Sequence, residues 1–291
     1  MPSTDNTFGS FLASRRAKVT PEQIGLPVTP NRRVPGLRRN ELAVLAGISV
    51  EYLARLERGV VRGVSESVLD SLSRALQLDE AEHEHLLDLA RTITGTARPP
   101  RKRKPAIRPS VQHILDAITT APALVRNGRA DILATNPLGR ALYSEMYVQP
   151  GRPVNHARFI FLDPRAHHFY VDWDGAANDI VAILRTEAGR DPFDRDLTDL
   201  VGELSTRSDE FRTRWAEQNV RRHYTGRKHF HHPAIGDIHL NFEAMSISAD
   251  EGLTLLIYPA TPETPDADAL QILATWQATP AAMPQDIEGP L

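Results

Sequence analysis

Apolar residues in the first 93 positions of the chain recur three or four residues apart, the spacing of a buried helical face. The first such stripe lies at residues 8–12, and four more follow at 42–46, 53–56, 68–76 and 86–90. The pattern therefore predicts an all-α bundle of five helices. Between the stripes stand residues that end or start helices, namely Gly47, Ser49, Gly59, Ser65 and Asp79.

The pattern changes in the second half of the chain. The runs ALVRN and ADILATN flank a hairpin turn predicted at Asn127 and Gly128. Three further strand-like runs start at residues 226, 236 and 252, and in the middle one apolar and polar residues alternate. Helical stretches at 172–190, 208–219 and 266–276 accompany them. This half is predicted to be an α+β domain with an antiparallel sheet, in the order that is typical of a PAS-type domain.

A proline-rich, basic segment separates the two halves. Residues 94–110 hold four prolines and the run Arg101 to Lys104, which favour an extended linker. We therefore expect a helical domain over residues 1–93, a linker over 94–110, an α+β domain over 111–279 and a disordered tail over 280–291. Such a flexible linker transmits conformational change poorly. Any signal between the two halves is therefore expected to depend on how the second domains of two chains pack within a dimer.

Charge and composition narrow the function. The chain has a net charge of -3, yet its first 105 residues carry 17 Lys+Arg and 12 Asp+Glu. This asymmetry favours an anion-facing first half and an acidic second half. The absence of cysteine excludes disulfides, thiolate zinc sites and thiol catalysis. No apolar run is long enough for a signal peptide or a membrane span, so a cytoplasmic protein without membrane contact is expected.

Two helices joined by a glycine turn form the mechanical core of a helix-turn-helix unit, whose second helix enters the major groove of DNA. On that helix Arg55 can pair with guanine, Glu51 with the cytosine amino group, and Val50 can contact a thymine methyl. Arg39 is placed to hold a phosphate. The wider candidate set comprises Arg38, Ser49, Tyr52, Arg58 and Arg62, with Arg32 and Arg33 in the preceding loop either reaching the DNA backbone or only keeping that loop soluble.

Three motifs in this half occur in a fixed order: ELAVLAGIS, a helix that ends in LERG, and SESVLDSLSRAL. The set resembles the helix-turn-helix domain of Cro/C1-type (XRE) repressors over about residues 7–90. The insertion TPEQIGLPVTPNRRVPGL departs from that pattern. The resemblance implies binding to double-stranded DNA, and a homodimer on a pseudo-palindromic operator is the expected form.

Four linear motifs carry a second resemblance: FIFLDPRAHHFYVDWDGAANDIVAILRTEAGRDP, LVGELSTRSDEFRTRWAEQNVR, GRKHFHHPAIGDIHLNFE and LLIYPATPETPDADALQILA. Together they resemble the ligand-binding domain of MmyB-like transcription regulators. The resemblance implies a bacterial regulator with a PAS-like domain over a lipophilic pocket. It also implies a fatty acid-like ligand and no other cofactor.

Candidate pocket residues are apolar or aromatic side chains near the predicted sheet and helices, although aromatic residues at such spacing are more often plain core. Asn136 followed by Pro137 is predicted to cap a helix. Arg185 and Arg222 either hold a ligand carboxylate or form structural salt bridges. The candidate ligand contacts are Leu133, Asn136, Leu142, Phe159, Phe161, Tyr170, Trp173, Ile180, Leu184 and Arg222.

Five histidines, His223, His229, His231, His232 and His239, lie close together in the sequence. A metal site needs convergent side chains, whereas on a strand His232 faces away from His229 and His231, so structural roles are favoured. Two alternatives to a ligand-controlled regulator stay open. The second half either only dimerises or recruits a protein, or it is an enzyme, although no nucleophile elbow, phosphate loop or HExxH pattern is present.

Overall fold

The computed structural model describes residues 4–26, 32, 34–94, 107–148, 153–217 and 225–278. The first part contains the five predicted helices. Caps fix where they begin: the Ser49 hydroxyl accepts from the Tyr52 amide at 3.0 Å, and Asp79 accepts from the Glu82 amide at 2.9 Å. Gly47 takes the left-handed conformation (φ 67°) that ends the second helix. The helices are α1 (Thr4–Lys18), α2 (Arg39–Leu45), α3 (Val50–Glu57), α4 (Glu66–Ala75) and α5 (Glu80–Thr94).

The helices close around one apolar core to which the predicted stripes contribute, including Phe8, Phe11, Leu53 and Leu72. Helices α1 and α3 cross closely at Gly9. A Cβ placed there would lie 2.0 Å from the carbonyl oxygen of Glu57, so only glycine allows this crossing. The first part is therefore a compact support for α3.

The second part is built on a five-stranded antiparallel sheet, as predicted. Its order is β2-β1-β5-β4-β3, so the chain's first hairpin pairs with its last strand. In the register, Leu124 lies opposite Leu256, and His229 lies opposite His239. The strands are β1 (Ala123–Asn127), β2 (Ile132–Thr135), β3 (Thr225–His232), β4 (Gly236–Ser246) and β5 (Leu253–Ile257).

Helices cover both faces of the sheet. The inner face packs on most of the helices around a core with Phe169, Phe230 and Leu240, while the outer face packs on a single helix through Val111 and Leu115. That helix is α6 (Pro109–Ala117). The inner helices are α7 (Pro137–Leu142), α8 (His156–Leu162), α9 (Ala166–Phe169), α10 (Trp173–Arg190), α11 (Arg195–Arg207), α12 (Asp209–Ala216) and α13 (Pro265–Ala278).

Two local predictions were wrong. Residues 109 and 110, assigned to the linker, begin α6, because Pro109 fits the first turn of a helix, where its missing N–H costs nothing. The hairpin after Asn127 is wider than an Asn-Gly turn. The side-chain oxygen of Asn127 accepts from the amides of Arg129 (3.0 Å) and Asp131 (2.9 Å), and Ala130 takes the left-handed conformation. Residues 95–106 of the linker and the tail from residue 279 lie outside the described residues.

The two parts contact each other directly. Helix α5 packs against α10, and the Thr92 hydroxyl donates to the Gly189 carbonyl at 3.5 Å. This contact runs within one chain, whereas the sequence predicted that the halves communicate only within a dimer. None of the described helices is long and apolar enough to cross a membrane.

Candidate functional site

Helix α3 presents the residues predicted to contact bases. Val50, Glu51 and Arg55 are exposed, while Leu53 and Leu56 on the opposite side are buried in the core. Tyr52 is half-buried, and its ring lies 6.0 Å below the guanidinium of Arg55. Because the apolar side of α3 is fixed, its other side is held outward and fits a DNA groove.

A buried carboxylate holds α3 to its neighbours. The Glu57 side chain is 3% exposed and accepts hydrogen bonds from Arg16 Nε, at 2.6 Å, and from Arg39 Nε. Arg39 thus has a role in the fold that its sequence position did not reveal. Its side chain is still 57% exposed, so the end of its guanidinium faces solvent. Phosphate contact by Arg39 stays a prediction.

The other predicted DNA contacts fall into two groups. Arg38, Arg58 and Arg62 are exposed, and the Ser49 hydroxyl is used as the cap of α3. Arg32 is instead engaged within the chain, because it forms two hydrogen bonds with the Glu41 carboxylate, at 2.8 and 2.6 Å. These bonds lower the pKa of Glu41 to about 2 and tie the insertion to α2. Arg33 lies outside the described residues.

A cavity lies between the inner face of the sheet and the helices α8 and α10. The space inside it that can hold a water molecule is about 40 Å³, which is smaller than a typical small-molecule site, so a whole ligand enters only if neighbouring side chains move. Half of its lining is apolar and half is polar. The lining residues are Arg126, Tyr143, His156, Ile160, Tyr170, Ala176, Asp179, Ile180, Ile183, Lys228, Phe242, Leu256 and Tyr258.

Arg126 is the unusual member of this lining. It projects from β1 beside Leu124 on the inner face, and it is only 9% exposed. Its side chain makes no hydrogen bond or ion pair with any residue that the structure describes. Burial lowers its pKa, although the nearby Tyr258, Tyr143 and Asp179 raise it in part. A buried guanidinium without a partner is costly, and it is well suited to an anion that enters the cavity.

The remaining polar groups of the cavity leave that charge unbalanced. Lys228 on β3 is paired with Asp179 on α10, at 2.5 Å between Nζ and Oδ2. Tyr143 lies within hydrogen-bond reach of both Tyr258 and Tyr170. Burial raises the pKa of all three tyrosines, so their hydroxyls stay protonated and can donate. The described residues of the lining therefore carry one net positive charge and several donors.

His156 completes the polar wall. It is 4% exposed, and its Nδ1 has no hydrogen-bond partner among the described residues. Burial, together with the positive charges of Arg126 and Lys228, lowers its pKa to about 3. The imidazole is therefore neutral in the folded protein at neutral pH.

A neutral buried histidine makes stability depend on pH. Below its ordinary pKa of about 6.5 the unfolded chain binds a proton that the folded chain rejects, so stability falls as the pH drops. We expect His156 to account for about 2 kcal/mol of lost unfolding free energy between pH 6.5 and pH 5. Urea unfolding at both pH values checks this, with His156→Gln expected to remove that part of the loss. An unchanged pH dependence in the variant would contradict it.

Few of the predicted pocket residues line the cavity. Of the ten, Tyr170 and Ile180 do so. Asn136 caps α7 through the Gly139 amide at 2.7 Å, and the Trp173 indole donates to the Ile160 carbonyl at 3.1 Å. Arg222 lies outside the described residues. Leu133 is half-buried on β2, and the others pack in the core next to the cavity: Leu142, Phe159, Phe161 and Leu184.

The charged residues of the site were not predicted from the sequence. Arg126 lies two residues after Leu124 on β1, and Lys228 lies two residues before Phe230 on β3. Residues two apart on a strand face the same side, so in each strand a cation shares the inner face with a core residue. A cation at an inward strand position is rare unless it has a use. This spacing of a cation and a core residue was the signal available in the sequence, but a pocket expected to be lipophilic gave no reason to include the cation.

The remaining candidates lie away from the cavity. Arg185 donates to the Trp215 carbonyl and lies over its ring, so it holds no ligand in the cavity. His232 is buried and donates to the Ala141 carbonyl at 3.1 Å, whereas His231 pairs with Asp237 on the other face of β3, as predicted. Among the residues that the structure describes, no group of three or more ligating side chains could hold a metal ion. His223 is outside them.

Comparison with known families accounts for both parts. Residues 7–86 match a helix-turn-helix domain. Residues 107–273 match the MmyB-like transcription regulator ligand binding domain, and that match alone spans more than half of the chain. The chain belongs to the MmyB-like transcription regulators. No curated protein matches the sequence. The MmyB-like match begins two residues before α6 and covers every residue that lines the cavity.

The family assigns a role to each site. As an MmyB-like regulator, the protein is a transcription regulator with a DNA-binding domain and a domain that binds a small molecule. Helix α3 presents the candidate DNA-contacting side chains, and the cavity around Arg126 is the candidate ligand site.

Proposed function

We propose that this regulator binds operator DNA as a two-fold dimer in the cytoplasm and that a monocarboxylate with an apolar body, of the fatty-acid class, sets its affinity for that DNA. The domain acts by binding and catalyses no reaction. The observation that carries the ligand class is the buried guanidinium of Arg126, which has no partner among the described residues.

The surroundings of Arg126 support a carboxylate as the headgroup. A guanidinium matches a carboxylate through two parallel hydrogen bonds, and neighbouring tyrosine hydroxyls can donate to the same oxygens. Apolar side chains on α8, α10 and β5 lie on the other side of the cavity, at Ile160, Ile183 and Leu256. A short apolar chain attached to the carboxylate would bury its surface there.

Arg55 is expected to specify a base, and Arg39 only to add affinity. Arg55→Ala should cost about 1–3 kcal/mol at one operator position and relax the preference there. Arg39→Ala should weaken binding to all sequences alike and flatten the salt dependence, because phosphate contacts release counterions. Selection of binding sites from random DNA with each variant measures both effects. Unchanged base preference in Arg55→Ala would refute the assignment of Arg55.

Native mass spectrometry of the purified protein tests the proposal as a whole. We expect a dimer that retains a small carboxylate, and we expect Arg126→Met to lose that mass while remaining a dimer. A dimer that never carries a ligand would favour a domain that only dimerises or recruits a protein. A monomer that protects a single asymmetric site on DNA would refute the two-fold model.

A further inference from the structure

Helix α10 belongs to the cavity and to the contact between the two domains at once. Its residues Ala176, Asp179, Ile180 and Ile183 line the cavity, and their spacing places them along one side of the helix. Arg185 and Gly189 lie on the opposite side, since each residue advances about 100° around a helix. The helix therefore stands between the ligand site and the DNA-binding domain.

The contact on the outer side of α10 is close. The imidazole of His85, on α5, lies against the backbone of Gly189, where a Cβ would be 2.5 Å from His85 Nδ1. The same ring packs edge-on against Phe11 of α1, at 5.0 Å between centroids. Thr92 reaches the Gly189 carbonyl two helical turns further along α5. The DNA-binding domain thus docks on the ligand-binding domain at the contact of His85 with Gly189, which we call the seat.

The ring at the centre of this contact makes no hydrogen bond with the described residues. His85 is 2% exposed, and neither ring nitrogen has a hydrogen-bond partner among the described residues. Arg15 on α1 and Arg185 on α10 both carry positive charge near it. Each of the two has its own partner, since Arg15 pairs with Glu82 at 2.5 Å and Arg185 donates to the Trp215 carbonyl. The seat therefore rests on shape, through a glycine, more than on polar bonds.

We propose that α10 is the coupling element of this regulator, and that occupation of the cavity controls whether the DNA-binding domain stays docked on α10 through His85 and Gly189. The proposal rests on the proposed function, because it takes the carboxylate as the effector. A ligand on Arg126 lies next to Asp179 and Lys228, so it changes the charges that position α10. A small shift of α10 then disturbs the contact at Gly189, because the atoms there are closely packed.

A pair of matched glycine substitutions separates docking from folding. Gly189→Ala inserts a methyl group into the seat, and Gly202→Ala inserts one at a helical position of α11 that has no neighbour within 4 Å. Alanine favours a helix at both positions, so neither change should unfold the ligand-binding domain. The double variant Gly189→Ala with His85→Ala restores the missing space and is expected to dock again.

Docking can be measured as a distance, because the chain has no cysteine of its own. Spin labels on Glu66→Cys and Gln271→Cys, both at exposed positions, report the separation of the two domains. We expect one narrow distance distribution in the otherwise unchanged protein and in Gly202→Ala, and a broad one in Gly189→Ala. A narrow distribution in Gly189→Ala would overturn docking at this seat.

The second arm adds decanoate as the ligand probe and follows its binding by calorimetry. Decanoate should change the distance distribution and the DNA affinity of the unchanged protein and of Gly202→Ala, by at least about five-fold for DNA. In Gly189→Ala it should bind equally well and change neither. Decanoate that binds without moving the labels in the unchanged protein would overturn coupling through α10. If decanoate binds to no variant, the proposed ligand class fails instead, while the glycine arm still decides docking.

Discussion

Replacement of Arg126 by methionine should lower the affinity for decanoate by about 30-fold or more, because truncating one partner of a buried charge pair costs about 2–5 kcal/mol. The same change should raise the melting temperature of the unliganded protein by a few degrees. Arg126 is buried without a counter-charge among the described residues, so its removal relieves a cost of folding. Calorimetry and thermal unfolding measure the two effects.

Arg129, on the same hairpin, is the matched control. Its guanidinium pairs with Asp131 at 3.2 Å and with Asp194 at 3.0 Å, so it has a structural partner, whereas Arg126 has none among the described residues. Arg129→Met should therefore lower the melting temperature and leave the decanoate affinity within about two-fold. If Arg126→Met behaved like Arg129→Met in both measurements, Arg126 would be a structural residue and the ligand assignment would be wrong.

Removal of the Glu57 carboxylate should destabilise the DNA-binding domain by about 3 kcal/mol, because it leaves the half-buried Arg16 and the exposed Arg39 without the buried carboxylate that they share. For a domain of this size that corresponds to a fall in melting temperature of more than about 10 °C. Helix α3 would then lose its fixed orientation, so DNA binding should fail at temperatures where the ligand-binding domain is still folded. Circular dichroism melts of Glu57→Ala, with DNA binding measured in parallel, check both.

Glu51→Ala is the control for this second prediction. It removes a carboxylate from the same helix at an exposed position, so it should leave the melting temperature nearly unchanged while it alters base preference. A Glu57→Ala variant that melts with the wild-type protein would show that the ion pairs of Arg16 and Arg39 do not hold α3.

Local rules explain why the helices and strands could be predicted from the sequence. Ser49 and Asp79 start helices through their own side chains, and Gly47 ends one through its own backbone, so each acts within a few residues. Where a local rule had a competitor it failed. Ala130 adopts the left-handed turn conformation that Gly128 was expected to adopt, because the Asn127 side chain organises the hairpin.

The ligand site could not be found by the same rules, since its residues come from distant strands and helices. Arg126 on β1 and Lys228 on β3 line the same cavity, although two strands separate β1 from β3 in the sheet. The contact of His85 with Gly189 likewise joins residues about a hundred positions apart. They lie on either side of the linker, whose composition predicted that the two domains would move independently. Tertiary packing creates such sites, and periodicity reports only which face of each element is buried. The PAS-like description of the second domain stays a prediction.

The central proposal is that ligand binding and DNA binding by this chain are coupled. The direct test is a thermodynamic cycle on the full chain, with decanoate and with DNA obtained by binding-site selection. We expect decanoate to change the DNA affinity by a factor between about 5 and 150, and DNA to change the decanoate affinity by the same factor. Equal DNA affinities with and without bound decanoate would contradict the account.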